Sequence, residues 1–406
     1  PGNSPASPLS NRSSRRSAPT DMDYLQERVT TLHNLTDAVP AMPRGDSAVV
    51  VPIAGESEAA VTPTHVFEAL ETVGPSAVVV PLRAPSGVAA AFDRWTDHFA
   101  LDVTTLWCNA PTVAPVLDDH GLDGPMGKGR DVWLGLGIAA NRADYVAVHD
   151  ADATTYSAAH VPRLLAGLAL GHEFVKGYYA RVENNALYGR LFRLFYAPLL
   201  QTLAAETDAP VVEYLAAFRY ALAGEFAATG ELISTLRVQR SWGLEVGTLG
   251  DAYAHAGFEN TAQVDLGAYE HDHRAVGGPA GLSEMSSAVG DALFRVVGEH
   301  GVEPDYSSLP DRYRSVAARF VDQYAVDAAY NGLDYDRSDE LDQVEAYSET
   351  IGEPGVDSRL PAWVDAPIAP AAVAEAAAAD LAAATEDSAG QSRDTDSLAD
   401  TTGQSR

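Results

Sequence analysis

Four short apolar runs, separated by stretches of helical periodicity, constrain this chain more than any other feature in it. They are Ser47–Pro52 (SAVVVP), Ser76–Leu82 (SAVVVPL), Val103–Cys108 (VTTLWC) and Tyr145–His149 (YVAVH). Between them, Thr64–Val73, about Gly87–Phe99 and Asp131–Asn141 read as helices. Strands without polar alternation are buried on both faces, and their alternation with helices is the pattern of a mostly parallel sheet between two helical layers. The expected fold class is α/β. In such sheets ligands bind beyond the carboxyl ends of the strands. The turn after the first run, IAGESE, and the pair Asp150 and Asp152 after the fourth both fall there.

The rest of the chain is read around that sheet. Residues 1–21 read as a disordered N-terminus. Leu25, Val29 and Leu32 have helical spacing and predict a helix from Met22 to about Asp37. After the aspartates come a helix (Ala158–Gly171), a strand (Glu173–Tyr179), a long helix (Ala186–Glu206) and a helix opened by Glu225. Another helix within Ser241–Gly257 leads to a strand at Thr261–Leu266. Met285, Val289, Ala292 and Val296, then Leu309, Tyr313, Val316, Phe320 and Tyr324, mark two amphipathic helices. The organisation expected is a sheet domain over 22–275, a helical extension over 276–350 and a low-complexity tail over 366–406. In that tail Ala371–Ala384 could form a frayed helix, and the Asp/Ser/Thr-rich remainder reads as disordered.

The formal net charge is −30, and only Lys128 and Lys176 are lysines, every other basic residue being arginine. Such acidity argues against nucleic acid or an anionic membrane as a partner. A surface acidic and poor in lysine resembles proteins of salt-loving microbes, in which concentrated salt screens self-repulsion. It also gives the two lysines local significance. No run of eighteen apolar residues is present, so no membrane span is expected. The polar N-terminus lacks the apolar core of a secretory signal, and a cytoplasmic location is expected. Cys108 stands alone, which excludes an intrachain disulfide and a cysteine-based zinc site.

Several residues carry candidate chemistry. Asp150 and Asp152 at a strand end could hold a divalent cation against a diphosphate, although a lone Asp-x-Asp also suits a solvated turn. Gly127-Lys128-Gly129 opens a helix but lacks the spacing of a Walker loop. Its glycines allow close backbone approach and its helix terminus favours anions, so Lys128 could reach a phosphate. His271, between Glu270 and Asp272, could complete the coordination begun by Asp152, or simply be solvated. Glu225 reads as a helix cap or as a partner for a sugar hydroxyl. Arg190 and Arg193 could bind a carboxylate or phosphate.

Together these pieces resemble the retaining glycosyltransferases that make glucosyl-3-phosphoglycerate and, more distantly, those that make mannosylglycerate and mannosyl-3-phosphoglycerate. The likeness rests on VVVPIAGESE, GKG before a helix, HDADATTY, FVKGYYAR, YGRLFRLFYAPLL, LAGEFAATGELIS, WGLEVGTLGDAY and QVDLGAYEH, eight stretches in the family's order. It covers about Ser47 to Arg274 and, more weakly, continues to about Asp327. The resemblance implies the GT-A nucleotide-diphospho-sugar transferase fold, an αβα sandwich on a mostly parallel Rossmann-like sheet, with a C-terminal helical extension. It implies that Pro52, Ile53, Ala54 and Glu56 contact the nucleoside, Lys128 the nucleotide and Asp150 the ribose. Asp152 and His271 would ligate Mg2+ or Mn2+, and Glu225 would face the sugar or acceptor. Gly189, Arg190 and His273 would meet the acceptor's anionic end.

The pattern departs from that family at four positions. Phe192 stands where it has threonine, Tyr269 where it has arginine, His273 where it has asparagine, and Gly55 where the first turn has asparagine. The first three bear on the acceptor, the fourth on the uracil. The expected function is metal-dependent transfer of a hexose, with retention, from a nucleotide sugar to a small anionic acceptor. UDP-glucose and 3-phosphoglycerate lead, with GDP-mannose and glycerate next, and a homodimer is compatible. Two alternatives remain: a catalytically silent homologue that binds nucleotide or serves in assembly, and a nucleotidyltransferase. The second would need basic residues that IAGESE lacks.

Overall fold

The computed structural model describes residues 27–35, 38–268, 270 and 278–402. The first half of the chain winds strands β1 (Thr30–Leu32), β2 (Ser47–Val50), β3 (Ile53–Ala54), β4 (Ala77–Arg83), β5 (Val103–Trp107) and β6 (Tyr145–Val148) with helices α1 (Glu58–Val61), α2 (Thr64–Val73), α3 (Ser86–Thr96), α4 (Val113–Asp118) and α5 (Lys128–Ala140). Then follow α6 (His160–Ala169), β7 (Phe174–Ala180) and the short β8 (Val182–Glu183) and β9 (Ala186–Leu187). A π-helical turn over Leu191–Tyr196 leads into α7 (Ala197–Ala204), α8 (Pro210–Ala216), β10 (Phe226–Thr229), α9 (Gly230–Thr235), α10 (Leu244–His255) and β11 (Thr261–Ala268). Helices α11 (Gly278–Glu299), α12 (Leu309–Asn331), α13 (Arg337–Ser348) and α14 (Pro370–Thr402) complete the described chain.

Nine strands of the described residues form one sheet in the order β1-β11-β7-β10-β6-β2-β4-β3, with β5 also beside β4. The four apolar runs are its centre and one flank. Val49, Val50, Val78, Val79, Val80, Val146 and Ala147 are all fully buried. All pairings are parallel except those of β10, which is antiparallel to both β6 and β7. This is the α/β architecture expected, with a helical C-terminal region. Among the described residues, no helix is long and apolar enough to cross a membrane.

The structure corrects the sequence reading in four places. Thr30–Leu32, expected within a helix, is a strand in register with Ala262–Val264; residues 22–26 of that helix lie outside the described residues. The run Val29-Thr30-Thr31 is β-branched, and an open sheet edge rewards it more than an isolated helix would. Phe226–Thr229, expected as the start of a helix, is β10. Four residues, three of them apolar, carry too little periodicity to decide between the two, and the gap between β6 and β7 decides. The long helix expected from Ala186 is preceded by a hairpin whose turn, Asn184-Asn185, has φ of 49° and 60°. Two left-handed residues make the tight turn that matches strand twist, and asparagine tolerates that region. Helix α13 was not foreseen.

The tail is the fourth place: the helix expected over Ala371–Ala384 forms, but it is packed rather than frayed. Residues from Pro370 form α14, which buries Val373, Ala377 and Leu381 against α3, α4 and β5. Alanine-rich sequence reads as low complexity, yet valine and leucine at helical spacing give it a face to bury. Just before it, Trp363 stacks on Trp133 of α5 with ring centroids 3.9 Å apart and planes 9° apart. Each indole donates to the other's segment, Trp363 Nε1 to Trp133 O and Trp133 Nε1 to Pro361 O, both at 2.8 Å. Gly137 makes room, since a Cβ there would lie 2.3 Å from the Trp363 ring. The Trp363→Ala variant is expected to lose about 2–4 kcal/mol of stability, from lost burial and stacking, measured by chemical denaturation.

Candidate functional site

The site is built at the carboxyl ends of β2, β4 and β6. Lys128 is the first residue of α5, and the loop at Gln239–Arg240 presses directly on that helix start. A Cβ on Gly129 would lie 1.7 Å from the Gln239 carbonyl oxygen, and one on Gly127 2.6 Å from that of Arg240. Glycine is therefore a packing requirement here. Arg130 N donates to the Arg240 carbonyl at 3.1 Å, which ties the helix terminus to the loop. The placement aims the lysine side chain at the end of β6, where Nζ lies 2.6 Å from Asp150 Oδ1 and 3.9 Å from Glu245 Oε1. Burial alone would lower the lysine pKa, but Asp150 and Glu245 hold it above its ordinary value.

The reversed direction of β10 supplies the next wall. Phe226 is in register with Val148, so the start of β10 lies at the carboxyl end of β6. Gly224 packs on Asp150 so closely that a Cβ would sit 2.6 Å from Oδ2. The backbone of Glu225 accepts from Gly177 N at 2.9 Å. Its side chain is fully buried, below the rim and not open to a substrate. Glu225 therefore does not open a helix, and its position does not fit direct contact with an acceptor. The acid at the rim is Glu245, in the first turn of α10, with its side chain 18% exposed. Sequence reasoning quoted it within WGLEVGTLGDAY without singling it out; an acid just after a glycine helix start was the available signal.

Asp152 is exposed, but the crowded cleft around it thins its hydration. That and the adjacent Asp150 carboxylate push its carboxyl up to about 6. Two oxygen-donor groups, one of them short of countercharge, are what a hard divalent cation would satisfy. Among the described residues no cluster of three His, Cys, Asp or Glu side chains suited to a metal occurs. His271 and His273, and the departing Tyr269, lie outside the described residues. The chain leading to them is nevertheless anchored beside Asp152: Thr154 N donates to Glu270 O at 2.8 Å, and Glu270 N to Thr155 Oγ1 at 3.1 Å. The chemistry of the residues present, a carboxylate pair at a strand end, fits a hard divalent cation.

The first turn approaches from the other side. Ile53 is buried, Pro52 half-buried, and Ala54 and Glu56 are exposed at the rim. Gly55 N donates to Arg83 O at 3.1 Å, and Arg83 Nε donates to Asp131 Oδ2 of α5 at 2.9 Å. The turn is thereby tied to the helix that carries Lys128. The glycine at 55 has a steric reason, since a Cβ would lie 2.8 Å from Ala60 Cβ and 2.9 Å from Val61 Cγ1.

Arg190, at the start of the π-helical turn, is already partnered. It binds Asp339, and its Nε donates to Glu340 Oε1 at 2.8 Å, while Arg193 Nη1 lies 3.0 Å from Glu340 Oε2. Phe192 packs against Tyr220, which in turn packs against Tyr179, both at centroid distances of 5.0 Å. A cleft of about 580 Å³ opens at the ends of β7 and β11, lined by Tyr178, Tyr179, Arg219, Asp265 and Glu270 among others.

No family model matches the chain. The glucosyl-3-phosphoglycerate synthase of Methanococcoides burtonii is 34% identical over 366 residues, which span 83% of this chain and 90% of that protein. The glucosyl-3-phosphoglycerate synthase of Persephonella marina is 35% identical over 266 residues, 62% of this chain and 66% of that protein. Among solved structures, glucosyl-3-phosphoglycerate synthase from Mycobacterium tuberculosis in complex with phosphoglyceric acid aligns with a TM-score of 0.50. That alignment covers 68% of this chain and 90% of the other at 24% identity, a likeness of fold.

Beneath Asp150, His149 is fully buried and packs at a tilt of 35° against Tyr156, which stacks with His160. Its Nδ1 lies 3.1 Å from Asp150 O and its Nε2 2.9 Å from Tyr156 Oη. A neutral ring donating from Nδ1 and accepting at Nε2 satisfies both. Burial accordingly lowers its pKa to about 4 from the ordinary 6.5. The unfolded chain therefore takes up this proton first, so stability falls as pH drops from 6.5 towards 4 and levels off below. The His149 share is about 3 kcal/mol. In the His149→Phe variant the denaturation midpoint should depend less steeply on pH across that window than in the wild type.

Proposed function

The chain belongs to the glucosyl-3-phosphoglycerate synthase family, and we propose that it moves glucose from UDP-glucose to 3-phosphoglycerate with retention, using Mg2+ or Mn2+. The observation that carries this reading is the juxtaposition of Lys128, Asp150 and Asp152 at the carboxyl ends of the central strands. Breaking the bond between sugar and diphosphate puts negative charge on the leaving group. A site that stabilises it needs fixed positive charge, already oriented, in surroundings poor in water. Lys128, at a helix N-terminus that also favours anions, provides it. Pro52, Ile53, Ala54 and Glu56 would frame the nucleoside and Asp150 the ribose. Asp152 and His271 would hold the cation, whose chemistry is Lewis-acid neutralisation of the departing diphosphate.

Glu245 takes the sugar-facing role better than Glu225, because it reaches the rim beside Lys128 whereas Glu225 is enclosed. On the acceptor side Gly189, Arg190 and His273 remain the proposed anchors. An anionic acceptor at Arg190 would compete with Asp339, the exposed one of its two carboxylate partners. Phe192 offers no hydroxyl where a threonine would, so the acceptor phosphate must rely on the guanidinium.

The test is a screen of nucleotide sugars with Mn2+ or Mg2+, reading diphosphate release with and without 3-phosphoglycerate and glycerate. UDP-glucose with 3-phosphoglycerate should turn over, and metal-dependent turnover of no donor would favour a silent homologue. Asp152→Ala should abolish metal-dependent UDP binding in calorimetry. Lys128→Ala should weaken it by about 1.5–3 kcal/mol, the value of a hydrogen bond to a charged group. Unchanged binding in both variants would sink the site assignment.

A further inference from the structure

Lysine is avoided everywhere in this chain except at two positions, and both lysines converge on one charged cluster. Lys128 is accounted for by the donor reading. Lys176 is not. It lies on β7, 1% exposed, and among the largest fully buried side chains of the protein. A buried ammonium is costly unless it is paired and hydrogen-bonded, so its presence in an arginine-rich chain calls for a specific partner. Its Nζ donates to the carbonyl of Ala223, and its charge faces Glu245, Glu225 and Asp150. A guanidinium at the same place would bring a larger planar fork, where only a compact charge on a flexible stem meets one carbonyl.

What Lys176 grips is the turn just before β10. Ala223 is held by the ammonium, Gly224 rests against the Asp150 carboxylate, and Glu225 is held through its carbonyl by Gly177 N. Asp150 in turn fixes Lys128. These contacts leave little slack, because the approach of Gly224 to Asp150 already excludes a methyl group. We propose that Lys176 is a positioning residue of the donor site: it clamps the Ala223–Glu225 turn against Asp150 and balances the charge of Glu245 and Glu225, so that Lys128 and the aspartates stay set for a metal-bound diphosphate. The inference rests on the donor-site reading above and adds to it a residue that touches no substrate.

The experiment is calorimetric binding of UDP to the full chain with and without Mn2+, alongside thermal unfolding, for wild type, Lys176→Met, Lys176→Gln and Gly224→Ala. Both Lys176 variants should bind UDP with Mn2+ about tenfold or more weakly, the usual penalty for losing a group that orients metal ligands. Gly224→Ala, pushing the same turn away from Asp150, should reproduce the loss. In steady state the same variants should raise the KM for UDP-glucose more than they lower kcat. A folded Lys176→Met with wild-type affinity and wild-type KM overturns the inference alone. A wild type that binds no UDP with Mn2+ overturns the donor-site reading and the inference with it. If neither Lys176 variant folds, Lys176 belongs to the fold and the inference fails.

Discussion

The ion pair between Lys128 and Asp150 is the interaction on which the site depends. It joins the start of α5 to the end of β6, and each partner is fixed from behind. The Gln239–Arg240 loop presses on the glycines around Lys128, while Gly224 presses on Asp150. Partly buried ion pairs bring little net stability, because desolvation offsets most of the attraction. Their value here is geometric. A lysine that faces one carboxylate at 2.6 Å and a second at 3.9 Å is held at the end of β6 in a single orientation. A fixed charge of this kind needs little reorganisation when an anion approaches it.

Around the pair, charge is distributed by depth. Lys176, Glu225 and His149 lie in the interior, Glu245 and Asp150 at the rim, and Asp152 at the solvent side. Depth sets their ionisation. Burial drives His149 neutral and draws the Lys176 ammonium down to about 8 despite Glu245 and Glu225. Asp152 is raised first by desolvation and then by the neighbouring Asp150 carboxylate, and a divalent cation would relieve both.

The C-terminal segment supports this arrangement from the far side of α5. The helix presenting Lys128 at one end carries Trp133 less than two turns on, and Trp133 is stacked and doubly hydrogen-bonded to the Trp363 segment. Beyond it α14 covers α3 and α4, with Thr112 donating to Asp380 from both its backbone and its hydroxyl at 2.7 Å. A stretch that reads as tail is thus part of the scaffold that orients the site.

The sequence alone determined the α/β class, the strands β2, β4, β5 and β6, and the places of Lys128 and Asp152 at a helix start and a strand end. Those features are local: unbroken valine runs, a glycine turn and strand-end carboxylates declare themselves within a few residues. The nearness of the first turn to the end of β6 was legible too, because parallel strands deliver their carboxyl ends to one rim. Only the tertiary structure decided the direction of β10, the burial of Glu225, the presence of Glu245 at the rim and the engagement of Arg190 by α13. Each depends on a partner distant in the chain: a vacancy between β6 and β7, a helix start that faces Lys128, or two acids beyond residue 336. Four residues such as Phe226–Thr229 take the conformation that the sheet offers them, and a carboxylate becomes interior or rim according to what covers it. Periodicity reports which residues want to be buried, whereas the assembled sheet decides against what.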